Sequence, residues 1–489
     1  MNLKAQLEQI VGPSFVIDDP LICDSYAQDQ SFVKGIKPDF IVKPKTAAEI
    51  QELLICANQL KIPITPYSSG LNLHGAALPS RGGIVIDMTR MKHFEINRDD
   101  WFVIVEPGVT YEELQNALNA QGFRLMVPFG VPPQRSVLTS YLERDTMLAG
   151  AHIEYGNALI LDTEMVLPDG ELFRTGCWNL GGRPGGFYGP GFNTLYRLWT
   201  GAQGTLGIFT KMIISVQYLS SKRKCFFISF ESSKKIPAFI KMIQRKEIGW
   251  ECFGLNRFNL AAILNDEWHV PEKFPAPQKE SPKFTTLQES LPAWVVIVGI
   301  SGSPYYPEER IAYEEEVLKN ICRDMDITID SHMLQNYDVN DIFSRECLRP
   351  WSVLKKFNFK GSVHDLSFKA PLKKLPDIED IIYATTRKYN YPYRDVGGYF
   401  VVLERGRAIH CEFDLHSESN GSVDRERVNN TWYAASKILI ENNVVLFDRP
   451  YGQWAELVYA RMPQYAQKLK QIKNEIDPNG IMNPGKLCF

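Results

Sequence analysis

Between residues 38 and 220 short apolar runs alternate with amphipathic ones. PDFIVKPK (38–45) reads as a strand. Thr46 then stands as an N-cap, with Glu49 three positions on, before AAEIQELLICANQLK. That spacing predicts a helix with Ile50, Leu53, Leu54 and Ala57 on one face. IPITPYSSG is a strand running into a loop, and GIVIDM (83–88) and FVIVEPG (102–108) are buried strands. Thr110 and Glu113 repeat the capping spacing at a second helix start.

From 221 to 430 the pattern changes. FFISF, WVVIVGISG, HDLSFKAPL and GYFVVLERGRAIHCEFDLH are strand-like and widely separated, with helical runs such as IPAFIKMIQRKE and EERIAYEEEVLKNICRDM between them. This predicts one antiparallel sheet covered on one face by helices. PEKFPAPQKESPK (271–283) reads as a surface loop, and the last sixty residues as helix followed by the turn-rich KNEIDPNGIMNPGK. The fold class expected is α+β in two domains. Residues 1–220 form the first, 221–435 the second, and 436–489 a segment returning to the first.

Length agrees with that division: 489 residues exceed the roughly 250–300 at which one core stops growing. The composition, 44% hydrophobic and 23% charged, is that of a globular chain, and a net charge of −3 gives no whole-chain signal for nucleic acid or an anionic membrane. Nine scattered cysteines form no CxxC pair and fit a reducing compartment. No secretory leader is evident and no run approaches the ~18 apolar residues that span a bilayer, so the expected location is cytoplasmic.

Two segments carry chemistry. The first is Pro66–Ala77, PYSSGLNLHGAA, between two predicted strands. Gly70 and Gly75 permit close approach of backbone to a ligand, and successive N–H groups with the Ser68 and Ser69 hydroxyls suit an anion such as pyrophosphate. A Gly/Ser/Asn loop is by itself also an ordinary turn signal. The second is AIHCEFDLH, where His410, Glu412, Asp414 and His416 alternate with Cys411, Phe413 and Leu415. A period of two puts all four ionisable groups on one strand face. That face meets water, a metal or a cavity, because four such groups are not buried unpartnered.

The order of motifs is more specific than any one of them. The first loop is followed by GGIVIDM, VEPGVTYEEL, LPDGELFRTG (167–176), TGAQGTLGIFTKM (200–212) and, at the end, DPNGIMNPGK (477–486). This succession resembles the FAD-linked oxidase family of vanillyl-alcohol oxidase and para-cresol methylhydroxylase, which also takes in glycolate and D-lactate dehydrogenase flavoproteins. The likeness is strongest over 38–220 and at the C-terminus. It implies FAD as cofactor, with Ser68, Ser69, Gly70 and Asn72 at the pyrophosphate and Gly75 in the same loop. Gly204, Thr205, Gly207 and Ile208 would lie near the adenine or ribose. Ser136, Thr139 and Ser140 would belong to the loop passing the flavin ring, and Asn483 and Lys486 to the returning tail. His74 lies near enough to that loop to be considered for covalent attachment of the flavin.

The resemblance also implies that the polar strand lies over the flavin, making His410, Glu412 and His416 candidates for base or substrate-orienting roles. Arg449 and Tyr451, in FDRPYGQW, fall where phenol oxidisers hold substrate as phenolate. Arg394 is a further candidate anion-holder. Three departures stand out. The GYG segment of phenol oxidisers is Leu73-His74-Gly75 here, and no acid occurs in Val127–Pro133. The HxGDGNxH metal segment of the hydroxy-acid enzymes is absent, so no metal is expected.

The leading expectation is oxidation of a para-substituted phenol or aromatic alcohol by hydride transfer to the flavin. A D-2-hydroxy-acid dehydrogenase and a flavin electron-transfer subunit are the alternatives. Expected partners are a small-molecule substrate, an acceptor (oxygen, quinone or redox protein), a second copy in a homodimer and, where electrons leave to a protein, a separate electron-transfer subunit.

Overall fold

The structure, a computed structural model, describes all residues except 1, 150, 152–158, 181–191, 303–304, 331–332, 335–336, 420 and 448–449. Two sheets are built from the first part of the chain. One has four strands in the order Val16–Ile17, Phe40–Val42, Ile84–Asp87, Ile64–Tyr67, with the last two neighbour pairs parallel. The helix Ala47–Leu60 packs on it through Ile50, Leu53, Leu54 and Ala57, and Thr46 Oγ1 accepts the Glu49 N–H at 3.2 Å. The second is antiparallel: Phe94–Asn97, Phe102–Val105, Ile208–Ser215, Ile160–Val166, Leu172–Arg174. Thr110 and Glu113 form a full capping box at the start of Tyr111–Asn119.

A seven-stranded antiparallel sheet follows. Its order is Ile329–Asp330, Arg223–Phe230, Trp294–Ser301, Glu251–Asn256, Gly397–Leu403, Ala408–Glu418, Gly361–Pro371. The expectation of helices on one face is corrected, since both faces are covered. Phe226, Val296, Phe400 and Cys411 point into a core shared with helices Ile236–Arg245, Leu375–Lys388 and Ser422–Glu441. Their neighbours Phe227, Ile297, Tyr399 and Val401 point the other way, against Arg257–Leu264, Pro282–Ser290 and Val339–Glu346. Near-continuous apolar strands such as WVVIVGIS are the sequence mark of two buried faces.

The C-terminal segment returns to the first sheet. Ile64 N–H donates to Ile481 O at 2.8 Å and Asn483 N–H to Ile64 O at 2.7 Å, extending the strand that delivers the Ser68 loop. Lys486 Nζ, 6% exposed, donates to Gly75 O and Leu78 O at 2.7 and 2.8 Å and ties down the far side of that loop. Among the described residues no helix is long and apolar enough to cross a membrane.

Candidate active site

Two adjoining cavities lie where these parts meet. The first, of about 700 Å³, is lined by Ser68, Ser69, Gly70, Asn72, Thr139, Gly204, Gly207, Ile208 and Asn483. The parallel strand Ile64–Tyr67 runs directly into the lining residues Ser68, Ser69 and Gly70. Ser68 Oγ accepts from Thr139 Oγ1 at 2.8 Å, and Ser69 Oγ accepts the Ser136 N–H at 3.2 Å. Gly204 and Gly207 have φ +69° and +143°. A Cβ on either would lie 2.9 Å from Pro66 Cγ or from Val166 O, so only glycine brings the backbone to the edge of this space. Asn483 Nδ2 donates to Ala76 O and Gln203 O, and its buried Oδ1 has no partner.

Other residues expected at the cofactor support the cavity and do not line it. Ser136 caps the helix Val137–Leu142. Ser140 Oγ donates to Asp145 Oδ2 at 2.6 Å, Thr205 Oγ1 donates to Ala202 O at 2.7 Å, and Gly75 N–H donates to Asp29 Oδ2 at 2.8 Å.

The second cavity, of about 750 Å³, shares Leu71, Asn72 and Arg135 with the first. Arg135 lies at the junction, with Nη2 3.0 Å from Asp145 Oδ2. On its wall the seven-stranded sheet presents Tyr399, His410, Glu412, Asp365 and Ser367. The register explains the grouping: Ser367 pairs with Glu412, Glu412 with Tyr399 and Lys369 with His410 across three strands.

Lys356, which no sequence signal singled out, is the organising cation. It is 3% exposed and donates to Glu412 Oε1 at 2.8 Å and Asp414 Oδ1 at 2.7 Å. Tyr399 Oη donates to Glu412 Oε2 at 2.7 Å. Burial opposes the lysine's charge, but the Asp414 and Glu412 carboxylates outweigh it and raise the ammonium pKa. Burial, helped by the Asp414 and Asp365 charges and opposed by Lys356, pushes Glu412 up to about 8.

His74 lines this second cavity and not the first. Its Nε2 lies 2.8 Å from Asp365 Oδ1, and its ring stacks on Tyr451 with centroids 5.1 Å apart. Burial works against Asp365's charge, yet His74 holds its pKa down to about 2. Tyr451 Oη in turn donates to Glu143 Oε2 at 3.0 Å. A smaller cavity of about 400 Å³ continues past His74, Asp365 and Tyr451 toward Phe32, Trp432 and Trp454.

The polar strand divides in two. His410 and Glu412 line the cavity, while Asp414 is fully buried as the counter-ion of Lys356. His416 is fully buried between Phe258 and Phe359, at centroid distances of 4.5 and 5.4 Å. Both its ring nitrogens lack hydrogen-bond partners, and burial drives its pKa well down. It is a neutral core group with no part in the cavity. Arg394 is also corrected: it is exposed in the turn Tyr393–Asp395, 3.4 Å from Tyr393 Oη, and lines none of these cavities. Arg449 lies outside the described residues. Among the described residues no group of three or more His, Cys, Asp or Glu is placed to hold a metal.

A trough of glycine edges, paired hydroxyls and an orphan amide, opening into a charged cavity, suits a long cofactor with a diphosphate in its middle. The domain family described as FAD binding domain matches residues 38–176. Residues 38–176 of this chain form an FAD-binding domain. Its fold is the α+β two-domain fold of p-cresol methylhydroxylase, whose substrate-bound crystal structure superposes with a TM-score of 0.82 at 17% identity over 99% of this chain and 96% of that one. The 1'-carboxy-chondrochloren decarboxylase of Chondromyces crocatus is 28% identical over 333 residues, 64% of this chain and 59% of that protein. The glycolate oxidase subunit GlcD of Bacillus subtilis is 27% identical over 237 residues, 47% of this chain and 48% of that protein. The match thus spans about half the length of these two relatives. The chain's relatives include oxidases and dehydrogenases, and the trough residues fit FAD.

Proposed function

We propose that this protein is an FAD-dependent oxidoreductase that oxidises a para-substituted phenol or aromatic alcohol in the cavity walled by Glu412, Tyr399 and His410. Bound FAD supplies the hydride acceptor. Ser68, Ser69, Thr139, Asn483 and the Gly204–Gly207 backbone would hold it.

The observation that carries the reading is Glu412, held between Lys356 and Tyr399 with a pKa of about 8. A phenol titrates near ~10, so a carboxylate of that strength is a matched acceptor for its proton, as Brønsted behaviour favours. Lys356 stabilises the carboxylate before transfer, and Tyr399 fixes its orientation.

The cavity's charge balance favours this substrate class over a 2-hydroxy acid. Lys356 faces Glu412 and Asp414, Arg135 faces Asp145, and His74 faces Asp365. The two permanently charged cations among the described lining residues, Lys356 and Arg135, are thus already set against carboxylates, which leaves a substrate carboxylate without a full positive charge to pair with. The apolar part of the lining, including Phe129, Phe357 and Leu354, suits an aromatic ring.

Anaerobic titration of the FAD-loaded protein tests this. Bleaching of the flavin by 4-hydroxybenzyl alcohol, with none by D-lactate or glycolate, is the expected result. Bleaching by the hydroxy acids alone would overturn the substrate class.

A further inference from the structure

We infer that a second site, a basic pocket sharing no lining residue with the flavin trough, binds a small phosphorylated ligand. The pocket lies where the strands Gly361–Pro371 and Ala408–Glu418 reach their shared end, Pro371 pairing with Ala408. It is a depression open to solvent, of about 820 Å³ with the solvent-filled space counted, between that end and the last turn of the helix Ile236–Arg245.

Five cations surround it: Lys241 and Arg245 from the helix, Lys373 after one strand, and Arg405 and Arg407 from the turn before the other. All five are exposed. The neighbouring acids pair with only two of them. Glu247 reaches Arg405 only at 3.8 Å, and Glu404 pairs with Arg407. Lys241, Arg245 and Lys373 form no ion pair among the described residues. A chain of net charge −3 thus keeps three unpaired cations, Lys241, Arg245 and Lys373, around one concavity, a local surplus of positive charge that favours an anion.

The second observation is Gln244. It lines the pocket at 5% exposure, and neither its Nε2 nor its Oε1 has a hydrogen-bond partner. The amide lies just beneath the pocket surface, unpaired, so that a rotation of this side chain would present it to a ligand; native interiors otherwise satisfy such atoms. Gly406, with φ +77°, keeps the turn off this side chain; a Cβ there would lie 3.4 Å from Gln244 Cγ. Leu372 adds an apolar floor. Cations for phosphate oxygens, an amide for a hydrogen-bonding group and an apolar floor describe a compact phosphate-bearing molecule. A concavity with an amide at its base fits that better than a flat acidic protein surface.

Calorimetric titration of the FAD-saturated protein with inorganic pyrophosphate and with ADP tests the inference, since bound FAD excludes both from the trough. Saturable one-to-one binding of ADP is expected, weakened at least about tenfold in Arg245→Glu/Lys373→Glu. Both positions are exposed, and an unchanged flavin content confirms the fold. Gln244→Leu should weaken ADP binding while leaving or raising thermal stability, because an apolar group replaces an unpaired amide. Absence of saturable binding, binding untouched by the charge reversals, or binding unchanged in Gln244→Leu would each overturn the site. So would capture by phosphatidylglycerol vesicles or a poly-glutamate peptide without binding of either free phosphate compound. These titrations do not depend on substrate turnover, so they stand apart from the proposed oxidation.

Discussion

Lys356 Nζ lies 2.7 Å from Asp414 Oδ1 and 2.8 Å from Glu412 Oε1, so one buried ammonium joins a carboxylate of the protein core to a carboxylate of the cavity. Removing one member of such a buried pair leaves an uncompensated charge. Lys356→Met is expected to lower unfolding free energy by about 3–5 kcal/mol. In Lys356→Met/Asp414→Asn much of the loss should return. Urea unfolding of the three proteins checks this. A Lys356→Met protein as stable as wild type would show that the ammonium is not the counter-ion of Asp414.

The stability of the protein should fall as pH rises across the neutral range. Glu412 and Glu346 are both raised by burial, to about 8 and about 7. Each is protonated when folded and ionised when unfolded between about pH 4.3 and those values. The folded state therefore holds more protons, and stability present below the unfolded pKa is lost as pH rises through the folded one. Below the ordinary histidine range the buried His364 and His416, held neutral in the fold, act the other way, so urea midpoints should decline from about pH 6.5 to about 8, and Glu412→Gln should flatten part of that slope. A wild-type profile that rises over this range would contradict the burial of both carboxyls.

FAD loading should depend on Ser68. Gly70→Val is a poor probe, because Gly70 has φ +67° and a Cβ there collides with the Tyr67 ring, so the substitution strains the loop whatever binds beside it. Ser68→Asp instead places a negative charge against the expected diphosphate without filling a packed space. Purified protein should lose most flavin absorbance while its apo-form circular dichroism stays that of wild type. Full flavin content would remove Ser68 from the diphosphate site.

The two arginines proposed from sequence should now behave differently. Arg394→Ala is expected to leave flavin reduction within about twofold of wild type, as for an exposed residue distant from the chemistry. Arg449→Met should slow it at least about tenfold, a loss of roughly 1.4 kcal/mol, if the residue holds substrate, with FAD still bound. Stopped-flow reduction by the best aromatic substrate separates them, and the reverse pattern would return Arg394 to the site.

Much of the cavity lined by Ser68, Ser69, Gly70 and Gly204 was legible because its determinants are local. A glycine–serine loop after a strand, capping residues and a recurring motif order all lie within short windows. The charged cavity was legible only in part. The period-two pattern of His410 and Glu412 was visible, and the same pattern in Asp365, Ser367 and Lys369 was there to be read. Alternation could not show that Asp414 and His416 dive beneath a second layer of helices. Nor does anything near Lys356, in SVLKKFN, distinguish it from an ordinary surface lysine. Its role arises from a strand more than fifty positions later in the chain, |i−j| being 56 for Glu412.

The most direct test of the central claim is the reductive half-reaction of Glu412→Gln against pH, with a para-hydroxylated benzyl alcohol as substrate. The variant should retain FAD and fold, because glutamine keeps an acceptor for Tyr399. Wild-type reduction should rise with a pKa near 8, whereas the variant should be at least about tenfold slower and lack that rise. Wild-type rates with the same pH dependence in Glu412→Gln would contradict the assignment of this carboxylate, and with it the proposed active site.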